Sequence, residues 1–215
     1  MILVKIIQTV TREFWNLSAF AGLYIAIISG AIGGALAFVG GDYLLRWLHK
    51  PSLLLEFRDN KDCKSPTPMN KDDVETEGYY IRIKVTNENR HIAKDCRAYL
   101  INFERKDENN GFVRTEYCDS IPLGWSCRDK KDRFRGIDIP RGINQYVDVI
   151  ATVKDSSVYI PQIMVPPYRY SKLFEKKGIF QFTIQVTADD ANPKTIKLIL
   201  NWKGDWDNFD VYPGD

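Results

Sequence analysis

A run of 25 residues without a charged side chain or a histidine, residues 17–41, constrains the architecture of this chain more than any other feature. As an α-helix rising about 1.5 Å per residue, it would extend about 37 Å, more than the roughly 30 Å hydrocarbon core of a bilayer. Buried helices of soluble proteins rarely run so long without a charge. We therefore expect one transmembrane helix over residues 17–48.

Aromatic and basic side chains flank this run in the manner of membrane-interface anchors. Indole and phenol rings favour the headgroup region, and long basic side chains extend their charges toward water. Ala35-Leu36-Ala37 has the form of a signal-peptide cleavage site, but the apolar stretch before it exceeds the roughly 7–15 residues typical of signal peptides. An uncleaved anchor is the better interpretation. The predicted membrane-interface residues are Trp15, Tyr43, Arg46 and Trp47.

Small residues recur every four positions within the run. This spacing places them on one face of a helix, where they allow two helix backbones to approach closely in lipid. They predict self-association or docking on another membrane helix. Residues 1–16 are too short to span a bilayer, and we expect them either to lie in the interface or to extend the helix. The predicted helix-packing residues are Gly22, Ala26, Gly30 and Gly34.

Basic and acidic side chains balance in the rest of the chain. Residues 51–215 carry 26 of each, and the whole chain has a formal charge of +2. The net basic footprint of a nucleic-acid-binding protein is absent, so no nucleic-acid partner is expected. Positive charge is nevertheless concentrated in one segment, which would face anionic lipid, the acidic tail of a neighbouring subunit, or solvent. This basic loop comprises Arg128, Lys130, Lys131, Arg133 and Arg135.

Apolar and polar residues alternate with a period of two after Pro51. The pattern is clear over 79–86, 180–187 and 196–203, and it also places Val147, Val149, Ala151 and Val153 on one face. Such alternation predicts strands with one buried and one solvated face. No helical period is evident in this region, so residues 51–215 are predicted to form an antiparallel β-sandwich. The predicted fold class is mainly β, preceded by the N-terminal transmembrane helix.

A strand–turn–strand motif carries a resemblance to a known family. Val85-Thr86-Asn87-Glu88-Asn89, followed by Ala93-Lys94-Asp95-Cys96-Arg97-Ala98-Tyr99-Leu100, resembles the V-x-N-x-G…A-x-[DN]-x-x-[AV]-x-[LF] signature of CARDB-like and related immunoglobulin-like prokaryotic domains. Asn89 stands where that signature usually has Gly, and Asn tolerates a left-handed backbone better than most residues. The resemblance implies an immunoglobulin-like sandwich that serves as a binding or spacing module without a catalytic centre.

Side chains that serve catalysis or metal binding are scarce. Neither His49 nor His91 lies in a recognisable nucleophile motif. Residues 205–210 alternate acids and aromatics without the Gly and terminal Glu of an EF-hand, which favours a final edge strand with a solvated acidic face. We expect no catalytic residue, no cofactor, no metal and no small-molecule substrate. The four cysteines include no C-x-x-C pair and therefore lack the usual sequence spacing of zinc ligands; they are Cys63, Cys96, Cys118 and Cys127.

These features predict a non-enzymatic, single-pass membrane protein whose β-sandwich binds a protein partner. Its role would be that of an accessory or structural subunit of a membrane complex, with membrane lipid and its own copies as further partners. The alternative is a membrane-acting effector, whose sandwich senses a partner or signal and whose glycine-rich helix clusters to perturb the bilayer. The run offers no charged residue to line a pore, which counts against the effector. A membrane-anchored hydrolase is a third option.

The side of the membrane on which the sandwich lies is poorly constrained by the sequence. Lys5 and Arg12 precede the run, and Arg46 and Lys50 follow it, so the positive-inside rule gives no orientation. Four cysteines would form two disulfides in an oxidising compartment or stay reduced in the cytoplasm. The Lys- and Asp-rich, Ser-poor composition of the sandwich region favours the cytoplasm.

Overall fold

The computed structural model describes residues 50–71, 74–115, 120–129, 131–154, 158–161, 174 and 176–214. The predictions for residues 1–16 and 17–48 therefore lie outside the described residues, as do those for Cys118 and Lys130. Within the described ranges, no helix has the length and apolar character needed to cross a bilayer. The predicted sites outside the described residues are the helix-packing set Gly22, Ala26, Gly30 and Gly34 and the membrane-interface set Trp15, Tyr43, Arg46 and Trp47.

The described residues form eleven β-strands, all paired antiparallel. The chain is thus mainly β and antiparallel, as the alternation of apolar and polar residues predicts; the finer immunoglobulin-like assignment stays a prediction. The strands are β1 Leu53–Glu56, β2 Lys64–Lys71, β3 Val74–Asn87, β4 Ala93–Lys106, β5 Phe112–Arg114, β6 Ile121–Trp125, β7 Ile137–Ile139, β8 Asn144–Val153, β9 Gly178–Thr187, β10 Lys194–Trp202 and β11 Phe209–Pro213.

The strands make one curled sheet in the order β1-β3-β8-β6-β4-β9-β10-β11, with β2 beside β3 and with β5 and β7 beside β4. Strand β6 joins the two halves of the sheet. Its first residues pair with β4, whereas Gly124 and Trp125 pair with β8. The curl brings the ends of the sheet together, because Lys64 of β2 lies 4.2 Å from the ring centroid of Phe209 in β11. The two halves consequently share one core.

Residues at every second position of the strands fill this core. Ile81, Ile83 and Val85 of β3 are fully buried, as are Phe180 and Phe182 of β9, and this confirms the predicted alternation in both strands. Phe103 of β4 stacks on Phe180 with ring centroids 5.7 Å apart. Each large apolar side chain removed from water contributes about 1.5–3 kcal/mol, so this paired face is the main source of stability.

A β-bulge corrects the predicted pattern in β8. Ile81 pairs with Ile150, but Arg82 pairs with Asp148, so β8 has one residue more than β3 at this point. An extra residue reverses the side-chain alternation beyond it. Ala151 and Val153 therefore pack with Tyr80 in a separate cluster, on the opposite face from Val147. The prediction of one shared face for Val147, Val149, Ala151 and Val153 is therefore wrong, since Val149 packs in the main core with Val147 and the other two do not.

The antiparallel register sorts the turns into two ends of the curled sheet. Residues 50–52, 88–92, 140–143 and 188–193 lie at one end, which we call the Lys50 end. The turns 107–111 and 203–208 lie at the other, the Trp206 end, together with Lys154. Strand β3 runs between the ends, and its 14 residues at about 3.3 Å each span about 46 Å.

Asn87 organises the Lys50 end. Its buried side-chain amide donates to the carbonyls of His91, at 2.5 Å, and Ile139, at 3.0 Å, and its oxygen accepts from the amide of Asn89 at 3.1 Å. Its carbonyl also accepts from the amide of Gly142, whose φ of 72° is a left-handed conformation that favours glycine. The asparagine of the strand–turn–strand motif therefore ties two turns to the end of β3.

Candidate functional site

An open groove at the Trp206 end is the strongest candidate for a functional site among the described residues. Its volume is about 770 Å³, within the range of ligand pockets. One wall comes from β2 and the start of β3, and the other comes from the end of β8 and the turn before β11. The lining residues are Pro66, Thr67, Pro68, Glu75, Thr76, Glu77, Gly78, Tyr79, Lys154 and Trp206.

Two aromatic rings form the floor of the groove. Tyr79 and Trp206 stack with centroids 5.7 Å apart and an angle of 26° between their planes, and Phe209 meets Tyr79 edge-on at 5.8 Å. Tyr79 lies on the core face of β3, but at the end of that face, where the core gives way to the groove. The result is a flat apolar surface with a polar hydroxyl and an indole N–H at its margin, a combination common at binding interfaces.

The turn 203–208 holds Trp206 in place. Gly204 adopts a φ of 87°, and a Cβ there would lie 2.7 Å from Cε of Lys177, so the turn requires glycine. Lys203 closes the turn through an ion pair of 2.8 Å with Asp210, and Asp205 Oδ1 accepts from the amide of Trp206 at 2.9 Å. The Lys203 hydrogen bond lowers the pKa of Asp210. Trp206 is thus presented by a defined turn.

Carboxylates and one lysine give the groove its charge. Lys154 Nζ lies 3.2 Å from Glu77 Oε2 and 5.9 Å from the ring centroid of Trp206, and the Lys154 amide donates to the carbonyl of Glu77. Both charged side chains are largely exposed, so this pair contributes less than about 1 kcal/mol. Glu75 lies nearby on the same rim without a counterpart in the lining. The lining therefore carries two carboxylates against one lysine, a net charge of −1.

Two prolines stiffen the β2 side of the wall that β2 and β3 form. Pro66 pairs in register with Tyr79, and Pro68 pairs with Glu77. Proline has a fixed φ and no N–H, so this part of β2 is rigid and offers fewer donors to another strand. A ligand in the groove would therefore contact side chains and aromatic ring faces rather than unpaired backbone N–H and C=O groups of a strand edge.

A buried ionic cluster beside the bulge is a second polar feature. Asp148 accepts from Arg82 Nε at 2.8 Å, and it also binds Arg133 and the hydroxyl of Ser126. Both guanidinium groups lie over the ring of Tyr80, at 5.4 and 5.5 Å. Burial lowers the pKa of Arg133, but Asp148 and Tyr80 outweigh burial and leave that pKa raised. The groups of this cluster satisfy one another, which is typical of a structural role.

The predicted basic loop is only partly a free basic surface. Arg133 turns inward to Asp148, and Arg135 pairs with Asp132 at 2.9 Å. Arg128 and Lys131 are exposed. The inward turn of Arg133 leaves room only for glycine beneath it, because a Cβ on Gly124 would lie 2.6 Å from Arg133 Nε. The loop therefore packs onto the sheet through one of its arginines.

The described cysteines and acids do not gather into a metal centre. Cys63 and Cys96 are buried and Cys127 is exposed, all three as free thiols. Among the described residues, no group of three or more His, Cys, Asp or Glu side chains is placed to hold a metal ion. Cys96 is a core residue of β4.

Comparison with protein-family models, curated proteins and solved structures finds no significant match for this chain. The groove itself was not predicted from the sequence. The signal for it was present in part, because residues 205–210 attract attention by alternating acids and aromatics. The predicted final edge strand is present, since β11 ends the strand order and Asp210 on it is exposed, but β11 begins only at Phe209, so Trp206 lies in the preceding turn. Its stacking partner Tyr79 lies far away in the sequence.

Proposed function

We propose that this chain is a non-enzymatic, single-pass membrane protein whose immunoglobulin-like sandwich binds a protein partner as an accessory subunit of a membrane complex. Residues 17–41 supply the anchor, and the groove at the Trp206 end receives the partner. The sandwich faces the cytoplasm, where its thiols stay reduced. The uncharged run supports the anchor, and the groove supports the binding role.

The observation that carries this proposal is the position of the groove. The chain enters the sandwich at Lys50, next to the end of β3 at Asn87, and the groove is lined by Glu75 to Tyr79 near the start of β3, about 26–40 Å away along the strand. A domain tethered through residues 42–49 would thus present the groove away from the tether. This arrangement suits capture of a segment that extends toward the sandwich from another protein.

The chemistry of the groove selects the kind of partner segment. Stacked rings and prolines favour an extended segment with flat or apolar side chains, and the carboxylates favour a lysine or arginine at its centre. Asp205 and Asp207 in the adjoining turn add negative charge. We therefore propose a basic, extended segment of a protein partner as the occupant.

Site-specific photo-crosslinking in native membranes tests this proposal. A photoreactive residue in place of Thr67, in the groove, should form a defined adduct with one protein of the same membrane. The same residue in place of Thr195, which is exposed on β10, should form none. Trp206→Ala should reduce the Thr67 adduct at least severalfold, because it removes half of the aromatic floor.

Mass spectrometry of the adduct should place the crosslink within a segment that contains Lys or Arg. Equal crosslinking from positions 67 and 195, or an adduct that Trp206→Ala leaves unchanged, would rule out the groove as the binding site. Complete release of the chain from membranes by alkaline carbonate would separately rule out the anchor.

A further inference from the structure

The Lys50 end of the sandwich displays two isoleucines to solvent. Ile92, in the turn after β3, and Ile143, in the turn before β8, are each 46 % exposed. Lys50, Arg90 and Arg141 lie in the same turns and are also exposed. Exposed apolar residues at loop tips flanked by basic residues are typical of surfaces that insert into a membrane interface. We call these five residues the basic isoleucine surface.

Hydrogen bonds hold this surface in one shape. Asn87 ties the 88–92 turn to Ile139 and Gly142, as described above. Asn89 Nδ2 donates to the carbonyl of Lys50 at 2.6 Å, and the amide of Glu88 donates to the carbonyl of Ser52 at 2.9 Å. The two isoleucines are therefore displayed by a preformed surface, which lowers the entropic cost of binding.

The charge around the two isoleucines favours an anionic surface as their partner. Lys50, Arg90 and Arg141 against Glu88 give a net charge of +2 over residues 50–52, 88–92 and 140–143. The turn 188–193 adds Asp189 and Asp190, so the four turns of this end together are neutral. The positive charge is thus local to the three turns that carry or adjoin the isoleucines. Anionic lipid headgroups attract such a surface.

The chain itself sets how far this surface lies from the bilayer. If residues 17–41 span the membrane, eight residues, 42–49, separate the span from Lys50. Eight residues reach about 28 Å when fully extended and about 12 Å as a helix. The Lys50 end is therefore tethered within a short distance of the headgroups.

We propose that the basic isoleucine surface rests on the anionic membrane surface, with Ile92 and Ile143 inserted among the lipid headgroups. This inference rests on the proposed function, since it takes residues 17–41 as the anchor. Such contact fixes the orientation of the sandwich and holds the groove at the Trp206 end about 26–40 Å from the contact, along β3. The sandwich would then bind membrane lipid at the Lys50 end and a protein partner at the Trp206 end.

Spin-label depth measurements on the full-length chain test the inference. In a background with Cys118→Ser and Cys127→Ser, a nitroxide is attached at Ile92→Cys or Ile143→Cys. Ser29→Cys, within the run, serves as the label for the anchor, and Val113→Cys, 54 % exposed at the Trp206 end, serves as the aqueous reference. Each protein is reconstituted into vesicles of phosphatidylcholine alone or of phosphatidylcholine mixed equally with phosphatidylserine. Accessibility to oxygen relative to a water-soluble nickel complex reports depth.

The expected result is an oxygen-to-nickel ratio at positions 92 and 143 severalfold above that at 113, and larger with phosphatidylserine than without it. The double variant Arg90→Glu/Arg141→Glu should return both labels to the value at position 113. Aqueous values at 92 and 143 in both vesicles, with a membrane value at 29, would overturn this inference and leave the anchor intact. An aqueous value at 29 would instead overturn the anchor, and with it both proposals.

Equal depth at 92 and 143 in the two kinds of vesicle would overturn the preference for anionic lipid. Because Ile92, Ile143, Arg90 and Arg141 are exposed, their substitution should leave the fold unchanged. An unchanged thermal unfolding curve of the variants would verify this.

Discussion

Arg82 Nε lies 2.8 Å from Asp148 Oδ1, across the point where β8 carries one residue more than β3. The bulge sets this relationship, because it places Asp148 opposite Arg82. Arg133 reaches the same carboxylate from the loop after β6. One nearly buried carboxylate thereby joins two strands and a loop, and neutralises one of two guanidinium charges.

Replacement of Asp148 by Asn should destabilise the β-sheet domain strongly. The change keeps the size of the side chain but leaves Arg82 and Arg133 without a counter-charge. Removal of one partner from a buried ion pair costs about 3–5 kcal/mol, and we expect about 3 kcal/mol because both arginines keep some contact with solvent. Denaturant unfolding of the full-length chain in detergent measures this loss.

Asp132→Asn provides the matched control. It removes a carboxylate from a pair with Arg135 in which both side chains are exposed, so the loss should stay below about 1 kcal/mol. Similar losses for the two variants would mean that the Asp148 cluster is too well hydrated to act as a buried ion pair.

Asn87→Ala should destabilise the Lys50 end. The variant removes two donors and one acceptor, and it leaves the buried carbonyl of Ile139 without that partner. Each buried polar group left unsatisfied costs about 1–3 kcal/mol, so a total of about 3 kcal/mol is expected. Hydrogen exchange should show faster exchange first in the 88–92 and 140–143 turns.

Asn109→Ala is the control for this change, because Asn109 lies exposed in the turn after β4. Its free energy of unfolding should stay within about 0.5 kcal/mol of that of the unsubstituted protein. Uniform loss of protection across all strands in Asn87→Ala would contradict a local role for Asn87.

The parts of the fold that follow from local pattern could be predicted from the sequence. The alternation in β3 and β9 reports burial directly, because neighbouring side chains in a strand point to opposite faces. A bulge does not leave such a signal. The sequence from Val147 to Val153 alternates regularly, and the reversal of side-chain direction near Asp148 arises only from the pairing of β8 with the distant strand β3. The inward turn of Arg133 depends on the same non-local pairing.

The groove could not be predicted for a related reason. Tyr79 and Trp206 meet only because the sheet curls far enough to bring the turn before β11 against the start of β3. The segment around Trp206 is distinctive, but it does not indicate the stacking partner, and Tyr79 has the pattern of an ordinary core position in a strand. The motif around Asn87, in contrast, could be found because the turn and the hydrogen bonds of Asn87 to His91 and Asn89 are local in sequence.

Thiol reactivity should separate the cysteines by burial. Burial, with smaller contributions from Asp190, Asp138 and Asp95, raises the pKa of Cys96 to about 12, and burial also raises the pKa of Cys63. In a Cys118→Ser background at pH 8, a maleimide should label the exposed Cys127 within minutes and the other two only after unfolding. Rapid labelling of Cys96 in the native protein would show that its strand opens.

Ionisation of Cys96 should also make stability depend on alkaline pH. Its pKa is about 12 in the folded state against an ordinary value of 9.0, so between these values the unfolded state binds fewer protons. Stability from this group is therefore complete below pH 9 and falls as pH rises toward 12. At pH 10 the loss should be about 1.4 kcal/mol under reducing conditions, and Cys96→Ala should not show that part of the loss. Equal alkaline losses in both proteins would contradict the assignment.

Affinity for the proposed basic partner should respond in opposite directions to the two members of the ion pair in the groove. Lys154 lies against both Glu77 and the Trp206 ring, so an incoming lysine or arginine must displace it. The exposed pair contributes about 0.5–1 kcal/mol, and Lys154→Ala should therefore tighten binding about two- to fivefold. Glu77→Gln should weaken binding by a similar factor.

Lys194→Ala is the control, because it removes an equal charge at the Lys50 end and should change affinity little. Titration of the three variants with the partner segment found by crosslinking measures these affinities. Weaker binding by Lys154→Ala would mean that Lys154 contacts the partner directly, and that the partner segment is acidic.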